Sequence, residues 1–107
     1  MDMGNKYFVL FLQNVKDFIE TLPSEDQGKI NATITSIELG SFESIYIKTV
    51  RTPIKELIIK KYRIIFFIHH TTIYFIGAFV KKTAKTPSKE IKNAEKIYKI
   101  IIENNKK

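Results

Sequence analysis

The stretch Ile64-Ile65-Phe66-Phe67-Ile68-His69-His70-Thr71-Thr72-Ile73-Tyr74-Phe75-Ile76-Gly77-Ala78-Phe79-Val80 is the longest uncharged run of the chain, and its reading decides the fold. Its 17 residues approach the roughly 20 apolar residues a membrane-spanning helix needs. Four polar residues, His69 to Thr72, divide it into two halves of strand length, each dominated by β-branched and aromatic side chains. The run therefore reads as a buried β-hairpin turning at His69–Thr72, although it lacks the Asn-Gly or Asp-Gly pair that marks the tightest turns.

Working outward, Tyr46–Ile47, Leu57–Ile59 and Tyr62–Ile68 are further runs of strand character, so three or four antiparallel strands are expected between residue 45 and Val80. Upstream, Tyr7–Phe11 is an apolar run of strand length. Leu12, Val15, Ile19 and Leu22 then recur at helical spacing until Pro23. Ser24 with Gln27 has capping-box spacing, and Ile30, Ile34 and Ile37 mark one face of a second helix ending near Gly40, which makes a helical hairpin with the first. Downstream of a basic connector, Lys81–Lys85, the pair Thr86-Pro87 reads as an N-cap followed by proline in the first turn. Ile91, Ala94, Ile97, Tyr98 and Ile101 supply the apolar stripe of a last helix that frays over Asn104–Lys107. The expected order is β-α-α-β-β-β-α, an α+β fold with an antiparallel sheet packed by an N-terminal helical hairpin and a C-terminal helix.

A chain of 107 residues with 44% hydrophobic content is sized for one domain over residues 1–107 with a single core. The absence of cysteine removes disulfides and thiolate metal sites. Met1–Gln13 lacks a basic segment followed by a long apolar run, so it does not read as a signal peptide, and a cytoplasmic protein with no membrane contact is expected.

Charge is divided unevenly along the chain. Residues 1–47 hold three lysines against seven acids, whereas residues 48–107 hold fifteen basic residues against four acids. Such polarity points to a basic surface that meets a polyanion; a solvated lysine-rich face is the plainer alternative. Several chemistries are excluded by the missing residues: there is no glycine-rich phosphate loop, no Gly-x-Ser-x-Gly nucleophile elbow and no carboxylate pair near a histidine. The only histidines, His69 and His70, are adjacent on a turn and expected to point to opposite sides, which argues against a metal site or histidine catalysis.

What remains is a set of cations among strands: Lys55, Lys60, Lys61 and Arg63, then Lys81, Lys82 and Lys85. Strand parity puts Glu56, Ile58 and Lys60 on one face if the strand continues, while Arg63 shares a face with Ile65 and Phe67. Arg63 reads either as a functional cation or as a strand-end arginine reaching to solvent.

The segment Phe79-Val80-Lys81-Lys82-Thr83-Ala84-Lys85-Thr86-Pro87 with Glu90, Ile91 and Ala94 resembles the C-terminal signature of HigB-type toxins of the RelE/ParE superfamily, in its phage-derived branch. Glu56-Leu57 followed by Tyr62-Arg63-Ile64 strengthens the resemblance, as do the opening strand, the Asp17–Pro23 helix and the second helix with Gln27 and Lys29. The resemblance implies a type II toxin that cleaves messenger RNA in the ribosomal A site without metal or cofactor. It also implies a cognate antitoxin, often a helix-turn-helix protein, through which alone operator DNA is contacted.

By the same resemblance Arg63 stands where a strand arginine contacts the scissile phosphate, and Lys81 or Lys82 where a basic residue follows the last strand. The family commonly has arginine directly after Glu-Leu, where this chain has Ile58. The expected reaction is attack of a ribose 2′-hydroxyl on the adjacent phosphate. Arg63, with a planar fork suited to two phosphate oxygens, is the expected transition-state clamp, with Lys82 alongside. Lys60 is either a general base, if neighbours depress its pKa, or a phosphate contact. Lys55, Lys61, Lys81 and Lys85 are expected RNA or ribosome contacts. Two other readings stay open: a gyrase-binding toxin of the ParE kind, and a non-toxic antitoxin-binding co-repressor.

Overall fold

The computed structural model describes residues 4–106; Met1–Met3, part of the stretch read as lacking a leader, and Lys107 of the expected frayed end lie outside the described residues. The chain runs β1 (Phe8–Phe11), α1 (Gln13–Glu20), α2 (Ser24–Glu38), β2 (Tyr46–Arg51), β3 (Ile54–Ile59), β4 (Tyr62–His69), β5 (Thr72–Val80) and α3 (Ser88–Asn104). Four strands rather than three follow the helical hairpin, and the sheet order is β1-β5-β4-β3-β2. The sheet is mixed, because β1 lies parallel to β5, pairing Phe8–Phe11 with Thr72–Phe75, while every other pairing is antiparallel. A helical hairpin between β1 and the later strands carries the chain across one face, which is the kind of crossover a parallel neighbour requires.

The uncharged run forms the expected hairpin, β4 and β5, with His70 and Thr71 between the paired His69 and Thr72. Both faces of the sheet are covered. Ile64, Phe66, Ile73 and Phe75 pack with Leu57 and Ile59 of β3 under Val15 and Ile19 of α1 and Ile30, Ile34 and Ile37 of α2. Ile65, Phe67, Ile76 and Phe79 pack with Ile54 under Ala94, Ile97, Tyr98 and Ile101 of α3. A strand buried on both faces loses the in–out alternation of an exposed sheet, which is why β4 and β5 read as an almost unbroken apolar run. Each fully buried Ile or Phe contributes on the order of 1.5–3 kcal/mol of transfer free energy.

A register shift decides which face β5 presents. Ile65 pairs with Gly77 but Phe66 pairs with Phe75, leaving Ile76 as the extra residue of a β-bulge. Without it Phe75 and Phe79 would share parity; with it Phe75 faces α1 and α2 while Phe79 faces α3, opposite Arg63.

The helix ends correct two of the capping expectations and bear out a third. Gly40, at φ 79°, ends α2: its amide donates to Ile37 O at 2.9 Å and Ser41 N donates to Ser36 O at 2.9 Å, the paired bonds of a Schellman cap. Ser24 does not cap α2; Pro23 occupies that position, and the Gln27 amide instead donates back to Leu22 O at 2.9 Å and Glu20 O at 3.3 Å, closing the end of α1. Nor does Thr86 cap α3. Pro87 holds the N-cap and helix begins at Ser88, which leaves the Thr86 hydroxyl for a partner in the sheet.

Candidate nucleic-acid interface

The strands β3 and β4 are joined by the two residues Lys60 and Lys61, and Lys60 adopts φ 55°, a left-handed conformation suited to a tight hairpin turn. The strand thus stops at Ile59, and the expectation that Lys60 continues on the face of Glu56 and Ile58 fails for that reason. Its ammonium crosses to the α2 side and meets Asp26 Oδ1 at 2.5 Å, while the buried Tyr62 hydroxyl donates to Asp26 Oδ2 at 2.5 Å. These hydrogen bonds, from Lys60 first and then Tyr62, lower the Asp26 pKa below its ordinary value of 3.8. The same carboxylate raises the pKa of Lys60 and that of Tyr62. A general base needs a depressed lysine pKa, so this arrangement argues for Lys60 as a held cation and against it as a base. Asp26, Lys60, Lys61 and Tyr62 line a cavity of about 380 Å³.

Arg63 lies on the other face. Its Nη1 donates to Lys60 O and Tyr62 O, both at 2.9 Å, bracing the turn, and its Nε lies 3.6 Å from Glu56 Oε1. Glu56 is fully buried, and its other oxygen, Oε2, accepts from the Thr86 hydroxyl at 2.7 Å. Among the described residues, Nε and Oε1 have no hydrogen-bond partner. A buried carboxylate is tolerable only when paired, so Arg63 has a structural duty before any other. The open two-pronged fork expected of it is therefore reduced, since Nη1 is bonded to two carbonyls and Nε is turned inward to face Glu56 Oε1.

Lys81 N donates to Lys61 O at 2.8 Å, bringing the end of β5 against the β3–β4 turn. Lys82 and Lys85 are exposed on the connector beyond it, where Thr83 donates to Lys85 O at 2.8 Å, and the Thr86–Glu56 bond fastens the connector beside Arg63. Lys60, Lys61, Arg63 and Lys81 are thus neighbours at one end of the sheet, with Lys60 turned to the α2 face and Arg63 to the α3 face, and Lys82 and Lys85 are carried on the loop attached there. Lys55 does not join them: five residues back along β3, it lies roughly 16 Å from the turn at strand rise, with its ammonium 3.4 Å from Thr49 Oγ1.

His69 and His70 sit at the opposite end of the β4–β5 hairpin. His70 has φ 56°, which folds the two rings to 4.2 Å centroid separation instead of sending them to opposite sides. No group of three potential metal-ligating His, Cys, Asp or Glu residues occurs among the described residues, and no described helix is long and apolar enough to cross a membrane.

Asp26 and Tyr62 were missed by sequence reasoning. An acid in the first turn of a helix is ordinarily explained by the helix dipole, and nothing local announces a partner more than 30 residues away.

Comparison with solved structures places this architecture. RelE in the RelE–RelB complex of Pyrococcus horikoshii superposes with a TM-score of 0.66 at 14% identity, covering 74% of this chain and 99% of that one. The RelB–RelE antitoxin–toxin complex of Methanococcus jannaschii gives 0.56 at 19% identity, covering 66% and 88%. At such identities the likeness is one of fold. No curated protein sequence matches the chain. Residues 17–99, from α1 into the last turns of α3, match the family described as phage-derived protein Gp49-like (DUF891). With that match spanning most of its length, a RelE-type sheet and a cationic turn fastened to the connector after β5, the chain belongs to the phage-derived Gp49-like family.

Proposed function

We propose that this protein is the toxin of a type II toxin–antitoxin pair, a cytoplasmic endoribonuclease that cleaves messenger RNA at the ribosome and is held inactive by a cognate antitoxin. The observation that carries the reading is the Lys81–Lys61 backbone bond, which gathers cations from residues 60–63 and 81–85 at one end of a RelE-type fold. The complexes with which the fold compares contain RelE bound to RelB, which supports an antitoxin as partner here.

In the proposed reaction the ribose 2′-oxygen attacks the adjacent phosphorus and the bond to the 5′-oxygen breaks, leaving a 2′,3′-cyclic phosphate and a 5′-hydroxyl. Cations positioned on the developing phosphorane charge carry the rate, and one such donor is typically worth about 10²- to 10³-fold. Arg63, through Nη2, and Lys82 are the proposed donors. Lys60, held protonated by Asp26, joins Lys61, Lys81 and Lys85 as a phosphate contact. Lys55 serves only a strand that extends well away from the turn.

Production of the protein in a bacterial host tests the reading: growth stops, transcripts are truncated, and Lys82→Ala together with Lys81→Ala relieves both. One observation favours a second reading, the commitment of the Arg63 guanidinium to Glu56 and two carbonyls together with the apolar Ile58 beside it. Those features suit a RelE-type protein that acts by binding, on gyrase or as a co-repressor. DNA damage with intact transcripts would select the gyrase reading, and unaffected growth the co-repressor.

A further inference from the structure

Nearly every ring of this chain is packed in the core or half-covered at its margin, but Tyr46, on the edge strand β2, is 74% exposed. Its side chain makes no hydrogen bond and no ring contact among the described residues. Register places it in a definite row across the sheet: Tyr46 pairs with Ile58, Ile58 with Arg63, and Arg63 with Phe79. Directly paired residues share a face, so Tyr46, Ile58 and Arg63 stand side by side, with Tyr46 two strand spacings, about 10 Å, from Arg63. Lys48, two residues along β2, is exposed on the same face opposite Glu56. Around the strand ends, Tyr46 and Ile58 also line a cavity of about 220 Å³ with Lys29 and Lys60.

An exposed ring flanked by cations is the arrangement by which single-stranded nucleic acid is held: the base stacks on the ring while phosphates meet the ammonium groups. Phe8, the other strongly exposed ring, lies on the far edge strand β1, away from the cationic turn. We propose that Tyr46 is a nucleobase-stacking residue for single-stranded RNA, with Ile58 as the apolar floor beside it and Lys48 on a neighbouring phosphate. The inference rests on the ribonuclease reading for its direction, since it supplies the place where a nucleotide next to the phosphate at Arg63 is held. It also gives Ile58 a use: an apolar side chain between ring and guanidinium packs against the face or edge of a stacked base.

Binding of a fluorescent 2′-O-methyl oligoribonucleotide, which lacks the attacking hydroxyl, separates this inference from cleavage. Tyr46→Ala is expected to weaken binding roughly 5- to 150-fold, the loss of one base–aromatic stack, whereas Tyr46→Phe binds like the parent. The slope of log affinity against log salt stays unchanged in Tyr46→Ala and falls by about 0.7 in Lys48→Ala, the value for one phosphate contact on a single strand. Unchanged thermal stability of both variants shows that the loss is at the surface. Binding through Tyr46 without transcript cleavage in cells retains the inference and removes the ribonuclease reading. Absent binding by the parent protein, equal binding by Tyr46→Ala, or a variant whose only change is loss of self-association in sedimentation would each overturn it.

Discussion

Arg63 and Glu56 show how far a single residue's role depends on what surrounds it. Removing the guanidinium leaves a fully buried carboxylate with only the Thr86 hydroxyl, a loss of about 3–5 kcal/mol by comparison with other broken buried pairs. Arg63→Ala is therefore expected to lower the melting temperature markedly. The double variant Arg63→Ala/Glu56→Gln, in which no buried charge is stranded, recovers much of the loss and is the form in which activity is to be judged. Thr86→Val, which takes the hydroxyl from Oε2, is expected to cost about 1–3 kcal/mol, and Thr86→Ser very little; thermal denaturation distinguishes them.

Asp26 makes a residue-scale prediction about pH. Its folded pKa lies below the ordinary 3.8, so its contribution is fully present above that value and is lost as pH falls through the depressed one. Lys60 and Tyr62 have raised values, so their contributions are present below 10.5 and 10.0 respectively and are lost as pH climbs through the folded values. Melting temperature against pH should fall at both limbs in the parent. Asp26→Asn should flatten both, because the same carboxylate sets all three shifts.

Among the elements, the β4–β5 hairpin, the Gly40 terminus of α2 and the apolar stripe of α3 were legible because each rests on local pattern: two apolar half-runs, a residue free to take φ 79°, a 3.6-residue period. The strand β2 was barely legible, since an edge strand with Lys48, Thr49 and Arg51 carries little apolar periodicity. The parallel pairing of β1 was not legible at all. Nor was Thr86's true partner, because its hydroxyl had two competing uses, a helix N-terminus next in sequence or a buried carboxylate 30 residues away, and burial of Glu56 decides between them. The bulge at Ile76 carries the sharpest prediction at this scale. Deleting Ile76 makes the Phe66–Phe75 and Ile65–Gly77 pairs consecutive in a regular ladder and leaves Phe79 opposite Arg63, so the variant should keep a cooperative thermal transition at a melting temperature lowered by loss of the buried Ile76 side chain. Gly40→Ala should fold but lose about 1–2 kcal/mol, since its φ is left-handed and the added methyl meets Lys6 Cδ at 2.7 Å.

For the whole molecule, the uneven charge along the sequence becomes an uneven surface. Many of the cations of residues 48–107 collect at the β3–β4 turn, on the connector and along α3, while acids of residues 1–47 include the Asp26 that holds Lys60 in place. The site was legible as a list of cations but not as a geometry: Lys60 changed face at a turn, Arg63 acquired a buried partner, Lys55 fell away from the group, and Tyr46 gave no signal beyond strand propensity. The proposed cleavage of messenger RNA by this cationic end is read out in a translation reaction supplied with the purified protein. Mapping transcript ends should reveal 5′-hydroxyl termini within the reading frame, dependent on ribosomes and absent with Lys81→Ala/Lys82→Ala. Intact transcripts in the presence of folded protein would contradict it.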